Sequence, residues 1–258
     1  MIVASMGPVQ HDVRTKANPE RPRVPEGRHV YAVGDIHGRD DLLARLHDLI
    51  AEDAAAGAAT RNSLVYLGDY IDRGPASRQV IERLAGEPLA GFETVFLRGN
   101  HDDFLLGFLD DGGPADAWLM NGGIATLASY GIEMAFPPGD PAEIDGIRRD
   151  LARRLGPAHL EFLRRLKPSH AVGDYLFVHA GVRPGVGLAE QAPLDLMWIR
   201  GDFLDWDGPF GAIVVHGHTI APVPVFRPNR IGIDTGAYSS GRLTCLVLEG
   251  GSRRLLQT

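Results

Sequence analysis

The first part of the chain alternates short apolar runs with amphipathic stretches. Residues 29–33, 64–67 and 94–97 are mostly apolar, include β-branched and aromatic side chains, and are each followed within two positions by glycine. Such runs are typical of buried strands. Between them, residues 42–50 and 80–84 carry apolar side chains at the spacing of one helix face. Strands and helices that alternate in this order predict a parallel sheet.

The pattern changes in the middle of the chain and then returns. From about 103 to 170 the apolar spacing is helical, and we interpret this segment as a mostly helical insert. Strand-like runs follow at 175–178 and 212–215. The last two predicted strands, 231–234 and 243–248, are joined by a turn rich in Gly and Ser, so we expect them to pair antiparallel. The predicted fold class is therefore α/β with mixed strands.

Length and composition favour one large domain. The chain has 258 residues, of which 44% are hydrophobic and 23% charged, and a single α/β unit of this length can bury a sizeable core. Residues 1–27 contain four prolines and no apolar periodicity, so we expect a disordered or extended N-terminal arm. The domain itself would then span residues 28–258.

Charge and cysteine content narrow the partners and the compartment. The formal net charge is −7, which would repel a polyanion at long range, so nucleic acid is not an expected partner. The single cysteine, Cys245, lies in an alternating apolar run and is expected to pack as a small hydrophobe, which favours a reducing compartment. The apolar start of the chain is too short for a signal peptide, and no run approaches the roughly 18 apolar residues of a membrane span. We therefore expect a cytoplasmic protein with no membrane partner.

Five of the predicted strands end in polar and charged side chains. These are Asp35 and His37, then Asp69 with Asp72 and Arg73, then Asn100 and His101, then His179, and finally His216 with His218. Because ligands of α/β sheets collect outside the carboxyl ends of strands, we expect these side chains to converge. Carboxylates, imidazoles and an amide oxygen predict a two-metal centre, in which one carboxylate bridges two cations roughly 3.5 to 4 Å apart. These donors suit Mn, Fe or Zn without deciding among them.

The same residues stand in five short motifs whose order resembles a known family. The motifs are Gly-Asp-Ile-His-Gly at 34–38, Gly-Asp-Tyr-Ile-Asp-Arg-Gly at 68–74, Gly-Asn-His-Asp at 99–102, His-Ala-Gly at 179–181 and Gly-His-Thr at 217–219. Together they resemble the phosphoprotein phosphatase family within the calcineurin-like metallophosphoesterases, especially its shorter bacterial and phage members. The resemblance covers about residues 29 to 249. It implies a β-sandwich of mixed sheets flanked by helices, as a metallophosphoesterase domain.

The resemblance also implies roles for the ligands. Asp35 and His37 would hold one metal ion, and Asp69 would bridge to a second. The second ion would be completed by Asn100, His179 and His218. We expect two divalent ions, with manganese as the first choice and Fe or Zn as alternatives.

The remaining motif residues would handle the substrate. Arg73 would hold the substrate phosphate, and His101 would be the general acid, paired to Asp72. Arg200, in Trp-Ile-Arg at 198–200, resembles the family's second phosphate-binding arginine.

Two departures from the family pattern leave questions open. Asp102 stands where the family usually has glutamate, so a contact made by the glutamate would be lost or remade. His216, two residues before His218, could support the ligands from behind or face the substrate.

Three functions are consistent with this reading. The first is hydrolysis of phosphomonoesters by a protein serine/threonine phosphatase, with tyrosine also considered, acting on a phosphorylated protein or a small phosphoester. The second is symmetrical hydrolysis of diadenosine tetraphosphate, although those enzymes tend to lack an aspartate like Asp72. The third is a catalytically silent scaffold with the same fold, which would have no reason to retain His101 and Asp72.

The sequence also suggests where three further residues lie in the fold. His47 lies in the first predicted helix, and we expect it at the surface. Because the motifs fix only the phosphoryl group, we expect the helical insert to supply specificity. Within it, Trp118 either packs inside the insert or faces the cleft together with Asn121.

Overall fold

The computed structural model describes residues 21–57, 59–86, 88–110, 115–134 and 140–258. The strands are β1 (Arg28–Val33), β2 (Arg61–Tyr66), β3 (Phe92–Phe96), β4 (Ser169–Val172), β5 (Tyr175–Val178), β6 (Ile213–His216), β7 (Val225–Phe226), β8 (Arg230–Gly232), β9 (Thr244–Glu249) and β10 (Ser252–Gln257). The α-helices are α1 (Asp40–Ala56), α2 (Ser77–Ala85), α3 (Asn100–Asp110), α4 (Ala115–Trp118), α5 (Ile124–Ser129), α6 (Pro141–Arg164), α7 (Pro193–Trp198), α8 (Gly201–Leu204) and α9 (Ala237–Ser240). A π-helical turn, Leu119–Gly123, joins α4 to α5.

The strands form two mixed five-stranded sheets. In the first sheet the order is β10-β9-β1-β2-β3, and in the second it is β4-β5-β6-β8-β7. The central strands β1, β2 and β3 run parallel, as do β5, β6 and β8, while β9 and β4 are antiparallel to their neighbours. The predicted fold class, a mixed β-sandwich flanked by helices, is confirmed.

Alternation along the strands builds the layers. In β1, Val30 and Ala32 face the second sheet, where they share a buried cluster with Phe177 and Val215. Because successive side chains point to opposite faces, Tyr31 and Val33 of β1 pack on the outer side with α1, α2, α3 and α6. A smaller cluster covers the outer face of the second sheet with α7 and α8. The two sheets therefore lie between two helical layers.

The predicted pairing of the last two strands is wrong. β8 belongs to the second sheet, whereas β9 belongs to the first, where it pairs with β1 and β10. The connection crosses from one sheet to the other, since Ile233 N donates to His216 O at 2.9 Å and Gly34 N donates to Thr244 O at 3.0 Å. The true hairpin partner of β9 is β10, which the apolar pattern did not reveal.

Two other segments relate to the predicted organisation. Helices α3 to α6 lie between β3 and β4, and Trp118 and Leu163 within them share one hydrophobic cluster with Tyr66 of β2. Most of the predicted arm, residues 1–20, lies outside the described residues. Its end is packed, because Val24 N donates to Gly250 O and Arg23 O accepts from Asp174 N, both at 3.0 Å. The predicted domain boundary at residue 28 stays a prediction.

None of the helices in the described ranges is long and apolar enough to cross a membrane. Cys245 is fully buried and free, as expected of a small hydrophobe in β9.

The surface position predicted for His47 is wrong. Its side chain is only 5% exposed, and its Nε2 lies 2.7 Å from the hydroxyl of Tyr66 in β2. The prediction assumed that a polar residue on this helix lies on its exposed face. His47 can lie on the buried face because its ring is hydrogen-bonded to the hydroxyl of Tyr66. Burial lowers the pKa of His47 to about 4.

We therefore expect His47 to make the protein less stable towards acid. Its folded pKa lies below the unfolded value of about 6.5, so folding favours the neutral ring. The contribution of His47 is complete above pH 6.5 and is lost as the pH falls towards 4. His47→Gln retains a polar partner for Tyr66 but cannot titrate. Between pH 7 and pH 4.5 the wild type should therefore lose about 2 kcal/mol more of its free energy of unfolding than this variant does. Urea denaturation at both pH values measures this, and identical pH dependence in the two proteins would contradict it.

Candidate metal centre

The parallel strands bring the predicted residues to one edge of the sandwich. Asp35 and His37 follow β1, Asp69 follows β2, and His179 and His218 follow β5 and β6. Because β1 and β2 run parallel in one sheet and β5 and β6 run parallel in the other, their carboxyl ends meet between the sheets.

Backbone strain is concentrated at this edge. Five non-glycine residues in the described part of the chain have positive φ, namely His37 (45°), Asp69 (53°), Asp72 (70°), Arg73 (67°) and His218 (61°). All five are predicted site residues. Left-handed backbone is unfavourable for side chains of this size and persists only where the surrounding structure enforces it.

Glycine allows two of the carboxylates to approach the backbone closely. A Cβ at Gly99 would lie 2.1 Å from Asp69 Oδ1, and one at Gly217 would lie 1.9 Å from Asp35 Oδ1. Any larger residue at either position would displace the carboxylate. The glycines of the motifs are therefore required by the packing of the acids.

Asp69 lies at the centre of the arrangement. Its Oδ2 is 3.4 Å from His37 Nε2, 3.5 Å from His179 Nε2 and 4.0 Å from His101 Nε2. The donors form two groups able to hold a metal ion, one of His37, Asp69 and His101 and one of Asp69, His179 and His218. Two His/Asp groups that share one carboxylate form a dinuclear metal-binding site.

The amide of Asn100 joins the second group. Its Oδ1 lies 2.9 Å from both His179 Nε2 and His218 Nδ1, which are 3.2 Å from each other. The family resemblance implies that these three residues hold one metal ion, and in the structure they lie in contact with one another.

Hydrogen bonds from behind orient two of the imidazoles. His179 Nδ1 lies 2.9 Å from Leu67 O, and His37 Nδ1 lies 2.8 Å from Ile71 O. A carbonyl can only accept, so each Nδ1 carries the proton and each Nε2 presents its lone pair to the centre. The tautomers are therefore those that metal ligation needs.

Burial keeps the imidazoles neutral. It lowers the pKa of His37 to about 3, and it lowers the pKa values of His179 and His218 as well. Burial alone would raise the pKa of Asp69, but at low pH the surrounding histidines, when protonated, outweigh it and hold that pKa below its usual range. Neutral imidazoles around an ionised carboxylate are suitable ligands for a divalent cation.

Asp35 provides a direct test of whether this site fits a cation. Its Oδ2 accepts a hydrogen bond from His218 N at 3.0 Å, but its Oδ1 is buried with no hydrogen-bond partner among the described residues. Burial, with Asp234 and Asp69 nearby, raises the pKa of Asp35 well above its usual value. A buried carboxylate oxygen without a partner is costly, and a bound cation would remove that cost. The donor set therefore fits a metal ion.

The predicted acid and its partner are in contact beside the centre. His101 Nδ1 lies 2.8 Å from Asp72 Oδ2, and Arg73 Nη2 lies 3.1 Å from His101 Nε2. Tyr238, which the sequence analysis did not single out, lies 5.5 Å from His37 between ring centroids, and the Arg73 guanidinium lies 4.9 Å from the centre of its ring. The sequence Tyr-Ser-Ser in a predicted turn does not mark a site residue. Tyr238 is identified only by its contact with Arg73, which lies 165 positions earlier in the chain.

Asp102 makes a contact of its own at the position where the family usually has glutamate. Its Oδ2 accepts hydrogen bonds from Asp69 N at 2.9 Å and Gly99 N at 3.0 Å, and its Oδ1 accepts one from Tyr70 N at 3.2 Å. The shorter acid therefore ties the β2 and β3 loops together.

Trp118 is buried, so the alternative in which it faces the cleft is wrong. Its side chain is 0% exposed, and its indole N–H points at Asp72, 3.2 Å from Oδ1 and 3.1 Å from Oδ2. Asn121 is exposed and donates to Ala117 O of its own segment at 2.7 Å. Thr126, also missed from the sequence, donates to Asp72 Oδ1 at 2.6 Å.

The last two predicted residues lie at the margin. Arg200 is exposed, and its Nη1 donates to Thr219 Oγ1, next to His218, at 3.2 Å. His216 is buried with its ring 5.0 Å from that of Phe203. This contact with a core side chain favours the position behind the ligands over the one that faces the substrate.

A β-sandwich with this centre at its strand ends defines a metal-dependent phosphoesterase. The chain belongs to the calcineurin-like phosphoesterase family, whose profile matches residues 28–222. It is 30% identical over 229 residues to serine/threonine-protein phosphatase 2 of Escherichia coli, covering 84% of this chain and 91% of that protein. It is 28% identical over 228 residues to the asymmetrical bis(5'-nucleosyl)-tetraphosphatase PrpE of Bacillus thuringiensis, covering 83% and 88%. The structure of a cold-active protein tyrosine phosphatase from Shewanella sp. shares the fold, with a TM-score of 0.54 at 17% identity, covering 98% of this chain and 92% of that one.

We expect Asp69→Asn to lose at least one metal ion and the phosphoesterase activity, because a neutral amide supplies no charge to share between two cations. Elemental analysis of protein dialysed against manganese measures the metal content. Asp48→Asn, on the exposed face of α1, is the matched control and should retain the wild-type content. Two equivalents of metal with a near-normal rate in Asp69→Asn would contradict the shared role.

Proposed function

We propose that this protein is a phosphomonoesterase of the phosphoprotein phosphatase type, acting on phosphoserine or phosphothreonine in proteins, with phosphotyrosine as a further substrate. The observation that carries this proposal is the contact of His101 with Asp72, 2.8 Å apart and placed beside Arg73 and Asp69. The side-chain alkoxides of serine and threonine are poor leaving groups, so their release requires a general acid.

The residues that hold the metal ions in this proposal are those the sequence motifs named. Asp35 and His37 would bind the first ion, and Asp69 would bind both ions. The second ion would also be bound by Asn100, His179 and His218. Two divalent cations, with manganese the first candidate, would supply a water nucleophile of lowered pKa and offset charge on the phosphoryl oxygens.

Arg73 binds the substrate phosphate in this account, and Arg200 assists from the rim. In the free protein the Arg73 guanidinium donates towards the lone pair of His101 Nε2 at 3.1 Å. A phosphate dianion competes for the same guanidinium, because charge-assisted bidentate pairs are stronger than a bond to a neutral ring. Phosphate binding would therefore free His101 Nε2 to carry a proton.

His101 then delivers that proton to the leaving oxygen. Burial opposes protonation of the ring, but the carboxylates of Asp69 and Asp72 outweigh it and raise the pKa of His101 above its ordinary value. The water would already have released one proton to solvent, because its pKa is lowered. As its oxygen forms the bond to phosphorus, the bond to the ester oxygen breaks, and His101 protonates the departing alkoxide. Throughout the step, Asp72 accepts a hydrogen bond from His101 Nδ1 and keeps the ring directed at the metal centre.

A second candidate is hydrolysis of dinucleoside tetraphosphates. It is supported by the full-length similarity to the Bacillus thuringiensis enzyme, and the asymmetrical and symmetrical reactions are both open to test. The third candidate, a silent scaffold, is disfavoured because the acid, its partner and the ligand groups are all assembled.

A substrate panel distinguishes these candidates. Manganese-loaded protein should hydrolyse phosphoserine and phosphothreonine peptides with a higher kcat/KM than diadenosine tetraphosphate. A preference for the dinucleotide would replace the first proposal with the second. Hydrolysis of none of the compounds by metal-loaded protein would support the scaffold.

We expect His101→Asn to lower kcat by roughly 10² to 10⁴ for alkyl phosphates, the usual contribution of a general acid. The loss should be much smaller for p-nitrophenyl phosphate, whose leaving group needs less protonation. His170→Asn, in the edge strand β4, is the matched control and should lower neither rate. Steady-state kinetics with both esters measures the difference, and equal losses in His101→Asn would rule out the acid role.

A further inference from the structure

The carboxylate of Asp72 receives three side-chain hydrogen bonds although no solvent reaches it. The side chain is 0% exposed. His101 Nδ1 donates to Oδ2 at 2.8 Å, Thr126 Oγ1 donates to Oδ1 at 2.6 Å, and Trp118 Nε1 lies 3.1 and 3.2 Å from the two oxygens. Only the first of these donors belongs to a strand-end motif. The other two come from the helical segment that follows α3.

The three donors fix the plane of the carboxylate. An aspartate side chain can rotate about its terminal bond, because such sp³–sp² torsions are broad. Here Thr126 holds one oxygen, His101 holds the other, and the indole of Trp118 spans both. Rotation of the carboxylate would break at least two of these bonds, so the orientation of Asp72 is determined by the helical segment.

The helical segment is itself tied to the same loop. Arg73 N donates to Gly122 O at 3.2 Å, and Asp72 N donates to Thr126 Oγ1 at 2.9 Å. The indole of Trp118 is packed 4.9 Å from the ring of Phe108, measured between centroids. Trp118 therefore cannot move away from Asp72 without disturbing the core of the segment.

We propose that Trp118 and Thr126 are positioning residues, which hold Asp72 so that His101 is aimed at the leaving oxygen. This inference rests on the proposed function, in which His101 is the general acid. The segment from α4 to α5 then acts on the chemical step through Asp72.

The test compares two esters in manganese-loaded Trp118→Phe, which keeps an aromatic ring and removes the N–H. We expect kcat for phosphoserine peptide to fall about tenfold or more, within the roughly 10² to 10⁴ that a general acid contributes. Metal content and KM should stay unchanged, and the loss for p-nitrophenyl phosphate should be several times smaller. Trp206→Phe, which removes the same N–H from an exposed indole that does not contact Asp72, is the matched control and should lower neither rate.

Two further comparisons separate positioning from folding. If Trp118 acts through His101, the double variant Trp118→Phe/His101→Asn should be no slower than His101→Asn alone, since residues that act as a unit are not additive. Thr126→Val should reproduce the selective loss on the alkyl ester, and Thr126→Ser, which keeps the hydroxyl, should restore most of it. This second pair decides the matter if Trp118→Phe does not fold.

Three outcomes would overturn the inference. They are equal losses on both esters in the variants that fold, full additivity with His101→Asn, and a rise in KM without a change in kcat. A wild type that hydrolyses neither ester would overturn the proposed function and this inference with it. An active wild type with equal losses would overturn the inference alone.

Discussion

The rest of the structure depends on the burial of the Asp69 carboxylate among histidines where the two sheets meet. Its Oδ2 lies within 4.0 Å of three imidazole nitrogens, and Asp35 keeps a buried oxygen unpaired beside it. A group of this kind is expensive in a protein interior, and the left-handed backbone of five neighbouring residues adds about 1 kcal/mol or more for each. The apolar packing of both sheets and both helical layers offsets this cost, and divalent cations would remove part of it.

Two side chains that are not among the proposed metal ligands hold the loops of the site in place. One is Asp102, which lies within a motif, and the other is Trp118, which lies outside the motifs. Asp102 accepts backbone N–H groups from Asp69, Tyr70 and Gly99, and so fixes the loops after β2 and β3 to each other. Trp118, from the helices between β3 and β4, donates its indole N–H to Asp72, 3.1 Å from Oδ2. The helices between β3 and β4 are thus part of the site, which gives their presence a physical reason that does not involve substrate selection.

The sequence was most informative where the chemistry is local. Ligands placed directly after a strand, or after the glycine that ends it, predicted the convergence of Asp35, Asp69 and His179, because the position of a residue at the end of a parallel strand is set by a few neighbours. The crossover between β8 and β9 was mistaken for a hairpin because a turn rich in Gly and Ser suits either connection. The indole contact of Trp118 could not be predicted, since it depends on the packing of helices 46 positions away from Asp72.

Anomalous diffraction from crystals of the manganese-loaded protein would show whether the carboxylate of Asp69 serves two cations. We expect two anomalous peaks, both in contact with the carboxylate of Asp69, with His37 at one of them and His179 at the other. A single peak, or two peaks of which only one touches Asp69, would contradict it.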